Sequence, residues 1–143
     1  MSHYFRGTTK GYPGNGTSQR LGVTCVSTDP RKATLFAIES SRFGSGVILI
    51  ASQIKIPKAM MHVDVNCFAD LESEVVLNMK PIEFLNHVEI SVTLTQSKTV
   101  LSTMGVTFPA AGISKGEMND WFRSLPPLTN DFTLKYLNAI RKS

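Results

Sequence analysis

Apolar and polar positions along this chain repeat with two different periods, and the changes between them mark out its elements. His3 to Arg6 reads as a short strand closed by Gly7. Residues 7–22 are rich in Gly, Thr, Asn, Ser and Pro and read as a loop, with several turns available at Tyr12-Pro13-Gly14-Asn15-Gly16. Gly22 to Ser27 reads as a second strand. Asp29 then offers a side-chain cap and Pro30 suits a first helical turn, so a helix is predicted to about Arg42. Its spacing puts Ala33, Phe36, Ala37 and Ser40 on one buried face. Gly44 and Gly46 end it.

Val47 to Ile56 begins apolar on both faces, as a central strand does, and Pro57 stops it. Residues 58–71 fit neither period. Glu74 to Met79 reads as a strand that ends before Pro81. From His87 to Thr95, Val88, Ile90, Val92 and Leu94 alternate with His87, Glu89, Ser91 and Thr93, which predicts another strand. Beyond Thr95 the composition changes. One helix is predicted within Gly112 to Leu125, around Met118, Trp121 and Phe122, and Pro126-Pro127 breaks it. A second runs from Asp131 to Lys142, with Phe132, Leu134, Tyr136, Leu137 and Ile140 apolar. The order of elements is that of an α+β domain rather than alternating β-α-β units. With no internal repeat and no dividing linker, residues 1–143 read as one domain, its strand-rich part at 1–95 and a helical segment at 96–143.

Composition adds little to that picture. A chain of 143 residues can bury a core of its own. The apolar fraction of 42% and charged fraction of 18% argue against disorder. Cys25 and Cys67 sit in apolar, strand-like contexts and are expected as buried free thiols. No apolar run nears the roughly 20 residues that span a membrane. The start, Met1-Ser2-His3-Tyr4-Phe5-Arg6, lacks a signal pattern, so synthesis in the cytoplasm is expected, with delivery out of the cell by a signal-independent route left open. Net charge is +4, with an excess of +2 on either side of Glu74. A spread excess suits anionic ligands such as a dinucleotide without singling out nucleic acid.

Three short motifs carry candidate chemistry: Tyr4-Phe5-Arg6-Gly7-Thr8, Val26-Ser27-Thr28-Asp29-Pro30 and Glu72-Ser73-Glu74-Val75-Val76-Leu77. Arg6 ends a strand, and its planar fork of donors suits a pyrophosphate or ribose; a plain salt bridge is the alternative. Ser27 and Thr28 end a strand before a helix, where capping is their ordinary work. Glu72 and Glu74 lie two apart, so on an extended chain both carboxylates project from one face. Like charges so close are costly unless they serve a purpose or meet a cation, although a solvent-facing strand edge also tolerates them. His3, His62 and His87 show no metal-ligand spacing, and no metal is expected. The glycines lack the Rossmann spacing, and there is no nucleophile elbow or phosphate loop. Phe43, Phe68, Trp121 and Tyr136 read as core aromatics.

In this order the motifs resemble those of the arginine-serine-glutamate class of ADP-ribosyltransferases, the cholera-toxin-like group of bacterial toxins and effectors. The resemblance implies two packed β-sheets around an NAD cleft, with flanking helices. It implies that Arg6, with Gly7 beside it, supports the ribose and phosphate of NAD. The Ser27 hydroxyl, next to Thr28, would brace the active-site glutamate. Glu74 would bond the 2′-hydroxyl of the nicotinamide ribose, and Glu72 would activate or orient the acceptor. Asp29 departs from the family's third hydroxyl position. Only five residues precede Arg6, where many family toxins carry a helical segment. The segment after Thr95 is therefore expected to cover that surface, or to bind a partner or immunity protein. The implied co-substrate is NAD, and the implied acceptor is a macromolecule, with a protein arginine first. NAD hydrolysis or RNA modification on the same fold stays open, as does a non-catalytic basic binding module.

Overall fold

In a computed structural model, which describes residues 3–10, 22–62 and 73–143, the strands join into one antiparallel sheet. They are β1 (His3–Thr9), β2 (Thr24–Ser27), β3 (Gly46–Ser52), β4 (Met61–His62), β5 (Glu74–Leu77) and β6 (Ile90–Thr93), in the order β4-β5-β2-β1-β3-β6. β1 pairs with β3 along its whole length, from His3↔Ser52 to Thr9↔Gly46. β2 pairs with β5 from Thr24↔Leu77 to Ser27↔Glu74. Between β1 and β2 the register holds a single pair, Phe5↔Ser27. The two separate sheets expected from the sequence are therefore one sheet among the described residues. Its halves, β4-β5-β2 and β1-β3-β6, meet at one point and part beyond it.

Five helices complete the described chain: α1 (Pro30–Ser40), α2 (Pro81–Phe84), α3 (Leu94–Thr103), α4 (Lys115–Ser124) and α5 (Asn130–Lys142). α1 starts where the sequence predicts, with Asp29 accepting from the Arg31 N–H and Pro30 in the first turn. It stops at Ser40, and a 3₁₀ turn over Ser41–Phe43 carries the chain to Gly44. β1 does not end at Gly7, because glycine lets the strand continue beneath α1: a Cβ at Gly7 would lie 1.8 Å from the Ala33 carbonyl oxygen. β2 begins at Thr24, after Gly22 turns the chain with φ 70. β3 stops at Ser52, before a 3₁₀ turn, and β5 stops at Leu77.

The predicted strand from His87 to Thr95 shrinks to β6. Leu85–His87 forms a 3₁₀ turn on its near side. On its far side the Thr93 hydroxyl accepts from the Gln96 N–H while the Gln96 side chain accepts from the Thr93 N–H. This reciprocal cap starts α3 at Leu94. Neither α2 nor α3 is among the elements that the sequence periods predict. α4 and α5 fall within the predicted bounds to a residue or so, capped by Ser114 and Thr129.

Each face of the sheet carries apolar side chains. On one, Phe5, Ile48, Ile50 and Val92 meet Ala33 and Ala37 of α1, Leu101 of α3, and Tyr136, Leu137 and Ile140 of α5. On the other, Tyr4, Val26, Leu49 and Leu77 pack with Met79 and Phe84. α1 is buried on its outer side as well, where Leu35 and Ile38 meet Phe122 of α4. The single buried face predicted for α1 is corrected accordingly: Ala33 and Ala37 are buried, but Phe36 and Ser40 are only half-buried, while Thr34, Leu35 and Ile38 are buried too. The helical segment thus shares a core with the strands. Among the aromatics, Tyr136 is fully buried, whereas Phe43 is 77% exposed, with Arg42 over its ring; Phe68 lies outside the described residues.

A chain of hydroxyls runs through this core. Thr34 Oγ1 donates to the Pro30 carbonyl at 2.7 Å, lies 2.8 Å from Ser97 Oγ, and Ser97 Oγ lies 2.7 Å from Tyr136 Oη. Each hydroxyl has one proton. With Thr34 committed to Pro30, Ser97 donates to Thr34 and Tyr136 donates to Ser97. Burial pushes the Tyr136 phenol up to about 12, against the two hydroxyl bonds. No described helix is long and apolar enough to cross a membrane.

Candidate functional site

The parting of β1 from β2 opens a cavity of about 310 Å³, lined in part by Arg6, Gly7, Cys25, Ser27, Phe36 and Glu74. Continuing the register past Phe5↔Ser27 would set Gly7 opposite Cys25, but no pairing exists there. The Arg6 side chain spans the gap instead, its Nη1 donating to the Cys25 carbonyl at 2.8 Å. Burial pushes the Arg6 guanidinium below its usual range, and the nearby Cys25 opposes that shift. Arginine nonetheless keeps its charge at any ordinary pH.

Glu74 opens β5 directly opposite Ser27, so the two side chains share a face of the sheet. Ser27 Oγ accepts from the Asp29 N–H at 3.0 Å. The cavity therefore has a cation on the β1 side, a hydroxyl and a carboxylate on the β2–β5 side, and the Phe36 ring as an apolar wall. Arg6, Gly7, Ser27 and Glu74, named from the sequence, come together here.

Thr28 does not join them. Its N–H donates to the Ser73 carbonyl at 3.0 Å and its Oγ1 to the same oxygen at 3.4 Å. It lines a different cavity, of about 780 Å³, with His3, Glu89 and Arg141 among its walls. Burial, and after it the Arg141 charge, pushes the His3 imidazole below its usual value, with Glu89 opposing. Thr28, expected beside Ser27 at the cofactor, thus lies past the end of β2 and outside the lining of the first cavity, and its bonds hold the chain before β5.

Glu72 lies outside the described residues, as do Cys67 and residues 11–21 of the glycine-rich loop. The expectation that Glu72 and Glu74 share one face therefore lies outside the described residues as well. Ser73, the first residue described after that gap, sits at φ 53, the one described non-glycine residue at positive φ. Cys25, expected buried, is exposed: Val76 of β5 pairs with it on one side, and no β1 residue pairs with it on the other, where the strands part.

Two basic residues of α1 matter more than the sequence suggested. Asp29 is nearly sealed, and Arg31 grips it through Nε to Oδ1 at 3.0 Å and Nη2 to Oδ2 at 2.8 Å. Arg31 Nη1 also donates to the Pro126 carbonyl at 2.8 Å, and the guanidinium lies 5.3 Å from the centre of the Phe132 ring. The departure at Asp29 is thus a cap and a buried ion pair that tie the Ser27 turn to the C-terminal segment. Lys32 Nζ donates to Ser73 Oγ at 2.9 Å and lies 5.8 Å from the Phe122 ring centre. Sequence spacing carried no signal for either contact beyond the basic pair following the cap.

Among the described residues no cluster of side chains suited to a metal ion occurs. In comparisons with known proteins, the chain matches no family model, no curated protein and no solved structure.

Proposed function

We propose that this protein is an ADP-ribosyltransferase acting as a bacterial toxin or effector, which takes NAD, transfers ADP-ribose to a macromolecular acceptor and releases nicotinamide. The observation that carries the reading is the meeting of Arg6, Ser27 and Glu74, from three separate strands, around one cavity. That cavity is small for a ligand site, at the low end of a range of about 300–1,000 Å³. It suits the nicotinamide-ribose end of NAD rather than the whole dinucleotide. The fit is chemical as well: a guanidinium for an anionic or hydroxylated group, a carboxylate for a ribose hydroxyl, and an aromatic wall for a flat ring.

NAD supplies a ribosyl–nicotinamide bond whose cleavage builds positive charge on the ribose carbon. Glu74, fixed at the start of β5, is the carboxylate placed to stabilise that charge without being consumed. Ser27 holds the opposite position in the ladder, where its hydroxyl keeps the carboxylate aligned. Arg6 orients the phosphate or ribose from the β1 side. Gly7 lines the wall there and lets β1 pass close beneath α1. Glu72 takes the acceptor's proton in this scheme, with a protein arginine as the acceptor.

The test is nicotinamide release and acceptor labelling from labelled NAD and a cell lysate. Glu74→Gln keeps the shape and removes the charge, so both readouts should fall about 100-fold. Glu72→Gln should lose labelling while slow hydrolysis of NAD continues. Equal nicotinamide release by Glu74→Gln and the parent would falsify the reading.

A further inference from the structure

We propose that Lys32 is a positioning residue for Glu74, acting through the left-handed turn at Ser73. The inference rests on the transferase reading and adds to it a part of the site that no motif contains. A serine at φ 53 is held in a region that L side chains seldom occupy without support. Here the support comes from two directions. The Thr28 backbone and hydroxyl hold the Ser73 carbonyl, and Lys32 reaches from α1 to hold the Ser73 hydroxyl.

The next residue is Glu74. The torsions at Ser73 set the direction from which the chain enters β5, and thus the angle at which the Glu74 carboxylate is presented to the cavity. Lys32 is only 9% exposed, and its ammonium sits beside the Phe122 ring. Its bond to the Ser73 hydroxyl clamps the turn from the α1 side. Such a clamp bears on the chemistry because misplacing a reacting group by about 1 Å can cost 100-fold in rate.

The experiment is a double-mutant cycle of Lys32→Met and Ser73→Ala, which cuts the bond from either end. Three quantities are read: kcat for nicotinamide release, the NAD dissociation constant, and amide hydrogen exchange over Glu74–Leu77. Each single variant should lower kcat roughly tenfold and leave the NAD dissociation constant within about twofold, and the double variant should be no worse than either alone. Exchange across Glu74–Leu77 should quicken equally in all three. Additive effects, or an unchanged kcat in a folded variant, overturn the proposal. A parent protein that releases no nicotinamide overturns the transferase reading instead, and the exchange cycle then decides whether Lys32 fixes the Ser73 turn. Where Lys32→Met does not fold, Ser73→Ala alone carries the test, because it removes the hydroxyl and leaves α1 untouched.

Discussion

Replacing Gly7 by alanine tests how the cavity wall and the core are joined. A Cβ on Gly7 would lie 1.8 Å from the Ala33 carbonyl oxygen and 2.8 Å from the Ala37 nitrogen. Both are backbone atoms of α1, so no side-chain rotation relieves the overlap. To restore ordinary contact the helix must back away by roughly 1.5 Å, which a close-packed interior resists. It is pressed from outside by Phe122 on Leu35 and Ile38, and its inner methyls at Ala33 and Ala37 fill the layer over Phe5 and Ile48. Overpacking usually costs about 1–3 kcal/mol, and a backbone-to-backbone clash belongs at the top of that range. A loss of about 3 kcal/mol in a chain of this length lowers Tm by roughly 10 °C. Thermal melts followed by circular dichroism measure it. Gly116→Ala serves as control: its nearest neighbour is the Ser114 hydroxyl at 3.9 Å, so it should be neutral or slightly stabilising. Gly7→Ala melting within about 2 °C of the parent would refute the close approach of α1 to β1.

Further outcomes are expected elsewhere. Arg6→Lys keeps the charge but not the planar fork that reaches the Cys25 carbonyl, so NAD affinity should fall about tenfold by calorimetric titration in a protein that stays folded; undiminished affinity removes Arg6 from the site. Asp29→Ala strands the buried Arg31 charge and should cost about 3–5 kcal/mol in denaturant unfolding, whereas Asp29→Ala with Arg31→Met should recover much of it. If the double variant is as unstable as Asp29→Ala, the stranded charge is not the cause. The raised Tyr136 pKa means that the folded state disfavours the phenolate. Its contribution is fully present below about pH 10 and is lost as pH climbs toward 12, about 2–3 kcal/mol in all. Tyr136→Phe should flatten that alkaline decline, and parallel declines in the two proteins would contradict the buried phenol.

Parts of this molecule were legible in the sequence because the deciding interactions are local. Asp29 and Pro30 announce α1, and the 3- and 4-residue spacing of Phe132, Tyr136, Leu137 and Ile140 announces α5. α3 was missed although its cap, Thr93 with Gln96 three residues on, is a readable signal. The alternation from Val88 to Leu94 runs straight into that cap, and the period-2 pattern masked the start of a helix. At the site, Ser27 ends β2 and Glu74 begins β5, whereas Arg6 stands in mid-strand before Gly7, and each could be named from its local motif. The turn at Ser73 could not. It depends on Lys32, 41 positions away, and on Thr28, 45 positions away. A left-handed serine has no local signature, so nothing in the Glu72-Ser73-Glu74 motif announces the turn at Ser73.

The same long-range contacts explain how a sheet joined at one pair can hold a defined cavity. Arg6 belongs to the β1 half and Glu74 to the β5 half, and only Phe5↔Ser27 links those halves in the ladder. One pair of strand residues cannot fix the distance between the two walls. α1 lies across the seam and does so. It rests on β1 at Gly7, takes a bond from Thr9 Oγ1 at the Ser40 carbonyl, and reaches the other half through Lys32 and Ser73. α1 is held down in turn by Phe122, while Tyr136 packs edge-on against Phe5 at the seam itself, with ring centres 5.9 Å apart. The width of the cavity is therefore set by packing in residues 96–143, none of which lines it. Large-to-small changes at Phe122 or Tyr136 act on the site through α1 and Phe5. The strand motifs place the chemical groups, and the helical segment decides how far apart they stand.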